Sequence, residues 1–151
     1  MPVDHETVVR RWFEEVWNQG REETVDELFA PDAIAHGLAE GGAEARGPED
    51  FKIFSRGLRS AFPDIHIGIE DLIVHGDKVA ARFVVEGTHG GDGIGVAPTQ
   101  RRVSVEGMCI VRIGDGQIVE AWNYWDQLGL LRQLGTMPAA PGDSQTFSVT
   151  A

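Results

Sequence analysis

The chain has 151 residues, with 24 acidic against 13 basic side chains and a formal charge of −11. That length fits one domain able to bury roughly 70% of its unfolded surface. The charge excludes partners that need clustered Lys and Arg, such as nucleic acid or an anionic membrane surface. The single cysteine, Cys109, excludes an internal disulfide and a cysteine-based zinc site. No apolar run approaches a membrane span, and the N-terminus has no apolar leader core. These features predict a soluble cytoplasmic domain.

In chain order, Asp4 is placed to cap a first helix. Its stripe is Val9, Trp12, Phe13, Val16 and Trp17, one helical face. Gly20 ends it. A shorter helix carries Val25, Leu28 and Phe29 and stops at Pro31. Ile34–Gly37 reads as a short strand, and Ala39–Gly47 as a glycine-rich loop. Pro48 opens a third helix, with Glu49 and Asp50 suited to its N-terminus. That helix runs through Phe51, Phe54, Leu58 and Phe62 to Pro63.

The period then changes from helical to alternating. Ile65, Ile67 and Ile69 alternate with His66, Gly68 and Glu70, and the slip to Leu72 and Val74 predicts a bulge near Asp71. His75-Gly76-Asp77 and Gly114-Asp115-Gly116 read as hairpin turns. Strands are expected over Lys78–His89, Arg102–Ile113 and Gln117–Trp125, followed by a short helix. A single domain over 1–135 and a loose tail over 136–151 complete the outline. Helices segregated from an antiparallel sheet define an α+β fold. The expected form is a cone-shaped barrel: a curved antiparallel sheet over three N-terminal helices, with an apolar cavity inside.

AFPD (61–64), GTHGG (87–91) with GVAPTQRRV (95–103), and GQIVEAWNYWDQLGLLRQLG (116–135) resemble the SnoaL-like polyketide cyclase family of the nuclear transport factor 2-like superfamily. The likeness runs from about Val8 to Gly135. It implies a small homodimer with a cavity for a hydrophobic polyketide-like substrate, closing a ring by intramolecular aldol condensation with no metal or cofactor. It also leaves open a non-catalytic ligand- or partner-binding module, or a hydrolase, hydroxylase or isomerase of the same superfamily. Two positions depart from the family: Ala121, where relatives often have His, and Gln100, where the loop commonly reads Pro-Thr-Gly.

Ring closure needs a base beside a carbonyl and a donor for the enolate oxygen. Asp126, at the end of the last strand, is the candidate base, and the resemblance gives it the acid/base role. It also stands where a helix N-cap is expected. Counting back in twos puts Tyr124 and Trp122 on its face as substrate walls. His36 is the candidate partner. His89 is a candidate substrate contact at the mouth of the glycine loop, and Trp17 a cavity-roof contact. The face of His66 depends on register. No HxH or HxxxH pair occurs, and no metal is expected. Gly90–Arg101 joins two strands and so is no dinucleotide loop; it reads as a rim. Cys109 reads as a small buried residue.

Overall fold

The structure is a computed structural model and describes residues 4–39 and 42–136. Asp4 caps α1 (His5–Arg11), its carboxylate accepting from the Glu6 N–H at 3.2 Å. The helix then widens into a π-helical run over Trp12–Asn18, closed by Gln19 N–H to the Glu14 carbonyl. The expected stripe holds: Val9, Trp12, Phe13, Val16 and Trp17 are all buried. Gly20 ends the run at φ +71°, open to glycine at little cost.

Helix α2 (Glu22–Leu28) leads directly into strand β1 (Phe29–His36). The strand expected at Ile34 therefore starts five residues earlier, and Pro31 lies within it. Proline has no N–H for the ladder, and pairing is interrupted between Phe29 and Ile34. A two-residue strand, β2 (Ala45–Arg46), precedes α3 (Gly47–Ala61), whose first turn holds Pro48, Glu49 and Asp50 as expected. Strands β3 (His66–His75), β4 (Lys78–Thr88), β5 (Arg102–Gly114) and β6 (Gln117–Trp125) follow, then α4 (Gln127–Gln133). The β3 register slips between Ile69 and Asp71, where the bulge was expected. The proposed tail lies, from residue 137 on, outside the described residues.

The sheet order is β2-β1-β6-β5-β4-β3, curved and unclosed. Its pairs are antiparallel except one: β1 runs parallel to β6, with His36 opposite Trp122. The sheet is thus mixed, where hairpin logic alone gives an antiparallel one. On β5, Val103, Val105, Gly107, Cys109, Val111 and Ile113 are buried, and the residues between them are exposed or half-buried. The buried face curves over the helices. There Phe51 packs on Trp12 at 4.8 Å and on Phe29 at 5.4 Å between ring centres, contacts worth about 0.5–1.5 kcal/mol each beyond burial. Gly107 has no side chain for a reason: a Cβ there would fall 2.7 Å from the Phe83 ring and 2.8 Å from Trp125 Cβ.

Candidate active site

A cavity lies between the concave sheet face and the helices. Its helical wall is aromatic, with Trp12, Phe13, Trp17, Phe51, Phe54 and Phe62; its sheet wall includes Phe83, Val105, Cys109, Asn123 and Trp125. The free volume is about 90 Å³, against roughly 300–1,000 Å³ in sites for drug-sized ligands. The aromatic side chains fill most of the cone.

Polar side chains are few here. Trp125 Nε1 donates to the Leu38 carbonyl at 3.2 Å. Glu86 reaches the lining, but its carboxylate accepts from Arg102 at 3.0 Å in a pair that is well exposed. Cys109 is enclosed, and burial pushes its thiol up to about 12, so it stays protonated at neutral pH and is a poor nucleophile. Asn123 is different. Its Nδ2 donates to the His36 carbonyl at 2.9 Å. This fixes the amide and leaves Oδ1 without a partner among the described residues. Cys109 and Asn123 stand opposite each other in the β5–β6 register.

The six site residues read from the sequence scatter. Trp17 is in the cavity wall. Trp122 and Tyr124 are not: they lie on the convex face, Tyr124 with 75% of its surface exposed. This corrects their expected position as cavity walls, and the cause is a single bulge. Ile118 pairs with Ile113, both buried, so plain alternation would turn 120, 122 and 124 inward. The register shifts between Arg112 and Ile113, which moves Ala121, Asn123 and Trp125 inward instead. Asn123 was therefore missed; the signal that could have found it is the partnership with buried Cys109.

Asp126 follows the same outward phase. It is exposed and caps α4, accepting from the Gly129 N–H at 2.8 Å. It stands between two lining residues on the chain, Trp125 and Leu130, but does not itself line the cavity. His36 faces outward with Trp122, their rings 5.8 Å apart. Its Nε2 meets Glu120 at 2.7 Å and its Nδ1 meets Glu44 at 3.1 Å. The Glu120 hydrogen bond is the main cause that raises the His36 pKa; desolvation by burial opposes it, and the Glu44 hydrogen bond adds a smaller push upward. Glu120 is lowered in turn by His36 and by Arg112 at 3.2 Å. His36 thus clamps β1, β6 and the segment before β2 together.

His89 is wholly buried. The Thr99 N–H donates to its Nδ1 at 3.2 Å, which marks Nδ1 as an acceptor and puts the ring proton on Nε2. That Nε2 has no partner among the described residues, at a cost of about 1–3 kcal/mol. His66 is exposed on β3. Among the described residues no three His, Cys, Asp or Glu converge as a metal site, and no helix is long and apolar enough to cross a membrane.

An α+β cone with an aromatic cavity and one fixed amide is a site for a flat, largely apolar small molecule. Residues 7–134 match the SnoaL-like polyketide cyclase family. The aklanonic acid methyl ester cyclase DauD of Streptomyces sp. (strain C5) is 35% identical over 132 residues, covering 85% of this chain and 80% of the relative. The nogalonic acid methyl ester cyclase of Streptomyces nogalater is 35% identical over 121 residues, covering 79% and 89%. The crystal structure of IdmH from Streptomyces antibioticus superposes with a TM-score of 0.77 at 32% identity, over 88% of this chain and 99% of that one. The chain belongs to the SnoaL-like polyketide cyclase family and is an enzyme of the polyketide cyclase type.

Proposed function

We propose that this protein closes a ring in a multi-ring polyketide acid methyl ester by intramolecular aldol addition, with the substrate held against Asn123. One observation carries the reading: an aromatic cavity whose lining includes one side-chain amide, Asn123, with its Nδ2 fixed on the His36 carbonyl and its Oδ1 without a partner among the described residues, suited to a phenol or enol hydroxyl. The names of the relatives support the substrate class. In the reaction a carbon beside a carbonyl loses a proton, its electron pair forms a bond to a ketone carbon, and the ketone oxygen gains a proton. Mass is unchanged, and the step calls for no oxidant.

An amide cannot take up that proton. In this reading the base is Asp126, the carboxylate on the chain between Trp125 and Leu130, from which it reaches a substrate edge at the rim. The protein works in the cytoplasm as a homodimer. Met108, Ile110 and Tyr124 expose apolar surface on the convex face, and such a face is usually covered.

The test is incubation of the purified protein with aklanonic acid methyl ester. The expected product has the same mass and a changed chromophore and retention. An unchanged ester, with protein shown to be folded, rejects this substrate class.

A further inference from the structure

We propose that His89 supplies the hydrogen-bond donor for the oxygen that gains charge during ring closure, and that substrate reaches it when Phe62 turns aside. This rests on the cyclase reading above.

Phe83, Val85 and Gly87 on β4 all line the cavity, and His89 is next in that inward phase. The pairing with β5 continues past the strand end to carry it: His89 N–H donates to the Arg101 carbonyl and Gln100 N–H to the His89 carbonyl, both at 2.9 Å. The ring is therefore held by backbone on both sides, and by Thr99 at Nδ1. Its Nε2–H is the one buried side-chain polar atom without a partner among the described residues. Backbone pairing and the Thr99 contact account for the rest of the residue; they do not account for this donor. Buried polar groups left unpaired in this way call for an explanation.

Phe62 lies over the ring, centres 5.4 Å apart, and itself lines the cavity. Glycine at 87 leaves room for it: a Cβ there would come within 3.2 Å of Phe62 Cβ. The free space of about 90 Å³ is too small for several fused rings, so wall side chains must move on binding. The loop beyond is the harder part to move. Gly91 and Gly93 sit against the Ser60 and Gly57 carbonyls of α3 with no room for a side chain, and Gly90 N–H bonds the Ala61 carbonyl. A rotation of Phe62 needs none of those contacts to break, and it opens the cavity on the orphan donor.

The chemistry fits a neutral imidazole. As the new carbon–carbon bond forms, the ketone oxygen takes the carbonyl π pair. The Nε2–H donates to that oxygen in a site with few competing polar groups, where such a donor is worth most. The oxygen is then protonated from solvent, and His89 keeps its own proton.

Two substitutions separate this role from a structural one. In His89→Asn the amide occupies the place of Nδ1; in His89→Gln it reaches the place of Nε2. The proposal expects His89→Asn to retain the Thr99 contact and the unfolding midpoint while kcat falls roughly 10²–10³-fold with KM little changed. It expects His89→Gln to recover most of kcat despite a weaker loop anchor. The reverse pattern, with His89→Asn fully active and His89→Gln impaired through instability, overturns it. A second measurement does not need turnover: the His89 Nε2–H resonance in ¹⁵N-labelled protein should shift when aklanonic acid methyl ester is added. A shift without turnover leaves the contact standing and removes the cyclase reading. Bound ester with no shift removes the contact, whatever the turnover.

Discussion

On the concave side of β5 and β6, Val105, Cys109, Ala121, Asn123 and Trp125 meet rings from the helices. On the convex side, Arg112, Glu120, His36, Trp122 and Tyr124 form a charged and aromatic surface in contact with solvent. The backbone is the same, and one residue of slip in β6 decides which set goes where. The lesson is that chemical residue type does not mark the working face. A linked cluster of ionisable groups is outside, while the cavity lining holds a thiol kept protonated, an amide and the ion-paired Glu86.

The sharpest way to break this contrast is to empty the concave side. Phe51→Ala removes a ring that contacts Trp12, Trp17, Phe29 and Phe54. It should cost about 3–5 kcal/mol in chemical unfolding. Next is the one amide. Asn123→Leu should lower kcat/KM by roughly 10–100-fold, through loss of a buried hydrogen bond and its pin on the His36 carbonyl.

On the convex side, Ile110→Glu should leave turnover per chain intact and shift gel-filtration elution toward the monomer. Unchanged elution as a dimer would take the interface away from this face. At the rim, Asp126→Ala should lose about 1 kcal/mol as a lost cap, whereas Asn caps nearly as well as Asp. Asp126→Asn therefore separates stability from proton transfer: kcat should collapse while the unfolding midpoint holds. Full activity in that variant would reject Asp126 as base.

The smallest effect is electrostatic. His36 is raised from its ordinary 6.5, so its pairing is fully present below that value and fades as pH rises through the folded value. Glu120 is lowered from 4.5, so its share is present above that value and fades as pH falls through the folded one. The clamp is strongest between the two ordinary values, 4.5 and 6.5, where both shares are fully present. His36→Gln should flatten the loss of thermal stability on the alkaline side and leave the concave site untouched.

Much of this was legible in the sequence. The stripe of Val9, Trp12, Phe13, Val16 and Trp17 named the helical wall, Pro48 the start of α3, and the slip at Asp71 its bulge. Those signals are local: period, cap and turn. The π-helical winding of Trp12–Asn18 has no such signature, because a helical stripe tolerates a wider turn. The parallel β1–β6 pair is invisible to hairpin logic, since its strands are far apart in sequence. The position of Asn123 failed for the most specific reason. Counting in twos from Asp126 assumes the wrong starting phase, and Ile118 corrects it only if the bulge beside Val119 is known.

The parallel pair has a consequence for how the chain is made. β1 is synthesised early, yet its partner β6 begins at Gln117 and the pairing joins Ala35 to Ala121. Closing so long a loop is entropically slow. During translation β1 can gather Trp12 and Phe51 around Phe29 and pair with β2, but its other edge must wait unpaired until nearly the whole chain has emerged. The last strand then locks the first, and the cavity comes into being in that final step. A truncation that removes β6 should therefore leave no partial pocket behind, only an aggregation-prone precursor.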